Sequence, residues 1–174
     1  MGILIRKVLF EEALEYTTLH IACWRDAYTG IIPDIYLDNM SAELEQRAES
    51  IGKAINEPSG CAFFCVMSGD DMIGRLIFNK SGDEDKPDAG DVVAIYLLKE
   101  FWGKGFGTQM MDFAVSELTR AGYREIIVWV LEKNIRARRF YENYGFVPDG
   151  ARKELELGKP LTCLRYVLHR ITLS

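Results

Sequence analysis

The chain has 174 residues, 48% of them hydrophobic, and a formal net charge of −5. That length and apolar content suit one core, so residues 1–174 read as a single domain; no apolar run approaches the roughly twenty residues that span a membrane, and the first residues lack a secretory pattern, so the expectation is a cytoplasmic protein without a membrane partner. An acidic chain argues against nucleic acid, whose binding is led by phosphate neutralisation, and suits a cationic acceptor.

In chain order, residues 3–8 alternate as a short strand, and Glu11 to Tyr28 carries Leu14, Thr17, Thr18, Ile21 and Trp24 at helical spacing. Ser41 is placed to cap a second helix with Leu44, Ala48 and Ile51 on one side. Cys61 to Met67 and Met72 to Asn79 flank Ser68-Gly69-Asp70-Asp71, a hairpin by composition. Ser81 to Gly90 is a polar loop whose acids Asp83, Glu84, Asp85 and Asp88 either attract a cationic substrate or are simply solvated. The four cysteines at 23, 61, 65 and 163 show no Cys-x-x-Cys spacing and His20 and His169 stand far apart, which predicts reduced structural thiols and no metal.

From Asp91 an apolar strand pattern runs through Gly103, Gly105 and Gly107 into a helical pattern over Phe106 to Ala121, with Met110, Met111, Ala114 and Leu118 inward. Glycines permit positive φ and close backbone approach, and a helix N-terminus offers unpaired N–H groups to a pyrophosphate, so the loop reads as a phosphate cradle. A nucleoside-triphosphate P-loop is excluded because Gly105, not Ser or Thr, follows Lys104. A dinucleotide fold, with Glu132 on the ribose, has its third glycine one residue too early. A tight turn packing helix on strand is the bland alternative.

After the strand EIIVWVL comes NIRARRFYENYGF, in which Asn134, Ala137 and Tyr141 share a helix face before Gly145 ends the segment. Together with Trp102-Gly103-Lys104-Gly105-Phe106-Gly107, this resembles the GCN5-related N-acetyltransferase (GNAT) family, whose signatures are Q/R-x-x-G-x-G/A at one helix start and Asn-x-x-Ala-x-x-Phe/Leu-Tyr-x-x-x-Gly-Phe on a later helix. Trp102 departs from the usual Gln or Arg. The resemblance covers most of the chain and implies an α/β fold: a mixed, mostly antiparallel central sheet flanked by helices, closed by strands over Lys153 to Leu157 and Leu161 to Ile171.

What the resemblance implies is an acetyl-CoA-dependent N-acetyltransferase that moves an acetyl group to a primary amine by direct attack in a ternary complex; a catalytically silent acetyl-CoA sensor or assembly module is the alternative. Ile95, Tyr96 and Leu97 would serve the pantetheine and thioester, and Trp102, Gly103, Lys104, Gly105, Phe106, Gly107 and Thr108 the pyrophosphate. Asn134 is a helix cap or a cofactor contact. Arg136, Arg138 and Arg139 either approach a cofactor phosphate or form a solvated helix face. Tyr141 is the candidate acid, since a phenol with a reference pKa of about 10 stays protonated at neutral pH. Asp91 is the candidate base, with Glu132 as fallback; Trp129 occupies the position where some relatives keep a base and cannot accept a proton. Trp24 and Tyr28, with Arg25 and the segment 30–33, are candidates for the acceptor wall or for core. The acceptor implied is an amine, of a small molecule or a peptide, and a homodimer is compatible with the pattern.

Overall fold

A computed structural model describes residues 2–57 and 62–169. The elements are β1 Leu4–Lys7, α1 Ala13–Tyr28, α2 Asp34–Ala42, α3 Leu44–Asn56, β2 Ala62–Ser68, β3 Asp71–Lys80, β4 Gly90–Leu97, α4 Phe106–Arg120, β5 Glu125–Leu131, α5 Ile135–Tyr144, β6 Val147–Glu156 and β7 Pro160–His169. Seven strands form one sheet in the order β1-β2-β3-β4-β5-β7-β6. Every neighbouring pair is antiparallel except β4 and β5. The expected mixed, mostly antiparallel α/β sheet is therefore the one found. Cys61 and residues 170–171, included in two expected strands, lie outside the described residues.

Alternation along the strands sends successive side chains to opposite faces. On β2, Cys65 packs with Tyr16, Leu19 and Cys23 of α1, whereas Phe64 and Val66 join the cluster around α4. Met110, Met111, Ala114 and Leu118 of α4 are buried in that cluster, as their spacing requires. Three free cysteines, Cys23, Cys65 and Cys163, are buried. No helix among the described residues is long and apolar enough to cross a membrane.

Three local expectations need correction. In α1 Thr17 and Ile21 are buried as the spacing places them and Trp24 is partly so, but Leu14 is 52% exposed and Thr18 faces outward, while Ala13, Tyr16, Leu19 and Cys23 also turn inward. Ser41 caps nothing. It sits in the last turn of α2, a helix launched after Pro33 that buries Leu37 and Met40, and its Oγ accepts a bond from Arg25 Nη2 at 3.1 Å. Glu43, between α2 and α3, takes the capping position without a side-chain bond. The strand expected from Lys153 begins at Val147, with an irregularity between Pro148 and Arg152.

The polar loop before β4 is also more than a solvated linker. Arg165 of β7, only 4% exposed, bonds Asp83 at 2.9 Å, Asp85 at 2.5 Å and Asp149 at 2.8 Å. Asp83 also accepts from Trp129 Nε1 at 3.0 Å, and Lys86 bonds Glu125 at 2.7 Å. These bonds hold the loop against the sheet where β4 begins, so Asp83 within the fold and Asp85 at its surface have their charge matched by the buried Arg165. Breaking a buried ion network from one side leaves charges without partners. Arg165→Met should therefore lower unfolding free energy by about 3 kcal/mol, measured by urea denaturation at neutral pH. A loss below a few tenths would show that the three carboxylates are content in water.

Candidate active site

The two neighbours of β4 treat it differently. It pairs with β3 over its whole length, but the register steps from Ile77↔Ala94 to Phe78↔Val92. Val93 is thus an extra residue, and a bulge takes its backbone groups out of the ladder to β3. On the other side, β5 pairs with β4 only at Gly90↔Ile126 and Asp91↔Ile127. Beyond Asp91 the two strands diverge, and the gap between them is where cavities form.

On one side of the gap lies a cavity of about 230 Å³, bounded by the end of β4, the glycine loop and α5. Ile95, Tyr96 and Leu97 reach it from β4; Trp102, Gly103, Gly105, Gly107 and Thr108 line it from the loop and the first turn of α4; Tyr141 lines it from α5. Gly103 and Gly105 have φ of 72° and 79°, which side chains strongly disfavour, and a Cβ at either would meet nothing within 4 Å. Gly105 is the N-cap of α4 and no side chain caps that helix, so its first N–H groups stay available at the cavity wall. Gly107 serves differently: a Cβ there would come within 3.4 Å of Phe140. Lys104 and Phe106 do not line the cavity. The Lys104 ammonium lies 5.1 Å over the Phe101 ring, and Phe106 is buried in the core.

Trp102, the departure from the family motif, has a visible role. Its Nε1 donates to the Leu97 carbonyl at 2.8 Å, and the Arg136 guanidinium lies 3.4 Å over its ring. Arg136 thereby becomes a fixed cation on the cavity wall. Its neighbour Arg138 turns away to Tyr166 Oη at 3.0 Å and the Glu132 carbonyl at 3.1 Å. Arg139 is exposed. The basic run is therefore split between a site residue and helix support, a distinction that needed side-chain directions.

Asn134 caps α5, its Oδ1 accepting from the Ala137 N–H at 3.1 Å. Gly145, with φ of 112°, ends the helix one turn past Tyr141. Tyr141 packs edge-on against Phe146 and beside Phe140. Burial pushes its hydroxyl well above the ordinary range, so it keeps its proton at any physiological pH.

On the other side of the gap is a second cavity of about 230 Å³. Asp91 lies on its wall together with Trp24, Tyr28 and Trp129. Trp24 and Tyr28 stand edge to face at 5.0 Å, and the Tyr28 hydroxyl shares a 2.9 Å hydrogen bond with that of Tyr96. They serve both as core packing and as cavity wall. Asp91 Oδ1 is buried without a hydrogen-bond partner, and burial, with Asp83 nearby, pushes its carboxyl up to about 6; Lys153 draws it back only in part. Glu132, the fallback base, is bonded to Arg152 at 2.7 Å and is absent from both cavities. A smaller chamber of about 50 Å³, lined by Val92 to Tyr96, Val128 to Val130, Asn134 and Tyr141, shares wall residues with both cavities, Tyr96 and Tyr141 with the first and Tyr28 and Trp129 with the second. Asp91 lines the second cavity, Tyr141 lines the first and the chamber between them, and the Asp91 charge is felt at Tyr141. The bulge at Val93 and the Trp102–Arg136 stack were not legible in the sequence; an aromatic in the glycine motif and an arginine in the first turn of α5 were the available signal.

The sequence model of the acetyltransferase (GNAT) family matches residues 18–146. The chain is 29% identical over 132 residues to the probable N-acetyltransferase Rv2775 of Mycobacterium tuberculosis, covering 76% of this chain and 72% of that one. It is 28% identical over 178 residues to the uncharacterized N-acetyltransferase YuaI of Bacillus subtilis, covering 95% and 98%. The structure of the PaiA N-acetyltransferase of Thermoplasma acidophilum in complex with coenzyme A superposes with a TM-score of 0.74 at 20% identity, over 94% of this chain and 98% of that one, and so shares its fold.

The buried, unpaired carboxylate has a thermodynamic signature. The folded value of about 6 lies above the ordinary 3.8, so between them the folded chain keeps a proton that the unfolded chain has released. That contribution to stability is complete below the lower value and is lost as pH rises through the upper one, after which the charge costs on the order of 3 kcal/mol. Asp91→Asn should therefore stabilise the protein at about pH 8 and change little at about pH 4. Urea melts at both pH values test this; a gap that does not widen toward alkaline pH would mean the carboxylate is solvated.

Proposed function

The chain belongs to the acetyltransferase (GNAT) family, and we propose that it transfers the acetyl group of acetyl-CoA to a primary amine by direct attack, with both substrates bound at once. The observation that carries this reading is the pair of cavities meeting at the bulged, half-unpaired stretch of β4.

The glycine cradle fits the donor. Left-handed Gly103 and Gly105 with open space over them, uncapped N–H groups at the start of α4, and the Arg136 cation suit a pyrophosphate. Acetyl-CoA held there would supply the activated acetyl group, its C–S bond breaking as the amine's new N–C bond forms. β4 beyond the bulge offers backbone N–H groups fixed in a strand, which stabilise developing negative charge without reorganising. Asp91, ionised above about 6, accepts the proton of the incoming ammonium. Tyr141 holds its proton at Oη and gives it, or a strong hydrogen bond, to the departing thiolate. A merely binding module has no use for an uncompensated carboxylate that weakens its fold, which disfavours the sensor reading.

Three experiments test this. Gly105→Asp puts a side chain and a like charge at the cradle, so CoA affinity by calorimetry should fall by a hundredfold or more, on the order of two charge-assisted hydrogen bonds; unchanged affinity in the folded variant removes the basis of the reading. Tyr141→Phe keeps the ring packing and removes only the proton, so kcat should drop about a hundredfold while CoA affinity and Tm stay close to wild type. In wild type, kcat/KM should rise with pH through about 6 as Asp91 ionises. A phenylalanine variant with full turnover would assign Tyr141 to packing alone.

A further inference from the structure

The second cavity carries charges of both signs. Resting on the acetyl-transfer reading above, we infer that the acceptor is a small amine that also bears a carboxylate on an apolar body, the class of free apolar amino acids, and not a polyamine.

The argument begins with β6. Alternation along this strand puts Lys153 and Leu155 on the cavity face, and Arg152 and Glu154 off it. The Lys153 ammonium lies 4.0 Å over the Trp129 ring, and among the described residues no acid forms an ion pair with it. The neighbouring cations are already satisfied: Arg165 by its three aspartates, Arg152 by Glu132. Lys153 is therefore the cation of this wall whose charge is unspent, and it is near enough to Asp91 to pull that carboxyl downward.

Asp91 is the only acid among the described residues lining the same cavity. An ammonium entering it finds one carboxylate, Asp91, whose charge is felt at Tyr141. A second ammonium on the same molecule would find Lys153 and no acid, because Asp83 and Asp85 are held by Arg165. Like charge disfavours that pose, whereas a carboxylate beside Lys153 gains a charge-assisted bond. Between the two charges the wall is Trp24, Tyr28, Trp129 and Leu155, suited to an apolar side chain.

Matched acceptors separate the terms. Release of CoA thiol would be followed with L-leucine against isopentylamine, L-phenylalanine against phenethylamine, and spermidine as the polycation. The carboxylate should raise kcat/KM by about tenfold or more within each pair, the order of a charge-assisted bond in a partly dry site. Lys153→Met keeps the stem over Trp129 and removes the charge, so it should cut the leucine-to-isopentylamine ratio by about that factor, mainly through KM; Lys153→Arg should restore the ratio. A ratio near one in wild type, a ratio indifferent to Lys153→Met, or a preference for spermidine overturns the inference while leaving an N-acetyltransferase. No thiol release with any of these amines, from protein that still binds CoA, overturns the amine-transfer reading together with it.

Discussion

Everything functional in this molecule follows from β4 being held firmly on one side and released on the other. An interior strand normally spends its backbone groups on two neighbours. Here the ladder to β5 stops after Asp91, and the bulge at Val93 interrupts the ladder to β3 two residues later. Polar backbone left over in this way is costly unless something binds it. The gap thus creates both the space for a ligand and the backbone groups to receive it, and the two cavities and the chamber that shares their walls are its direct consequence.

A sheet that opens in the middle needs clamping elsewhere. Arg165 reaches from β7 to aspartates of the loop preceding β4 and of β6, tying together the strands on both sides of the opening. On the donor side, α5 is fixed at its start by the Asn134 cap and at its end by left-handed Gly145, and between them it carries Arg136 and Tyr141. Those two residues are five apart and both line the first cavity and the chamber, Arg136 stacked on Trp102 of the glycine loop and Tyr141 packed against Phe146. The capping residues accordingly do more than end a helix, because they set the depth at which both side chains arrive.

What could be read from the sequence was what is encoded locally. The glycine loop, the capped α5 and the α4 core face are short-range patterns, and each sits where its pattern put it. The errors arose where the outcome depends on distant partners. Ser41 has the chemistry of a cap, but Pro33 starts a helix earlier and carries the serine into its last turn. Leu14 fits the same helical period as the buried Thr17 and Ile21, yet the aromatic Tyr16 takes the inward position against the sheet and Leu14 is left exposed. The acids of the loop before β4 read as free charge because Arg165, some eighty positions onward in the sequence, could not be foreseen as their partner. The bulge at Val93 has no signature of composition, since a bulge is a property of two strands and not of one.

Asp91 shows how stability and chemistry are set against each other in this arrangement. It belongs to the last pair that β4 makes with β5, so its backbone is rigid while its side chain faces the opening. Had the pairing continued, the carboxylate would have been buried beyond reach; had it ended earlier, water would have solvated it and returned it to an ordinary aspartate. The chosen point gives a carboxyl that is half-dry, unpartnered on Oδ1 and raised to about 6, low enough to be ionised at neutral pH and high enough to be worth protonating. Lys153 across the cavity keeps the value from rising further, so the same cation that faces the cavity also helps to keep Asp91 ionised. An anion bound at Lys153 would weaken that hold and push Asp91 upward, making it a stronger base when such an acceptor is in place.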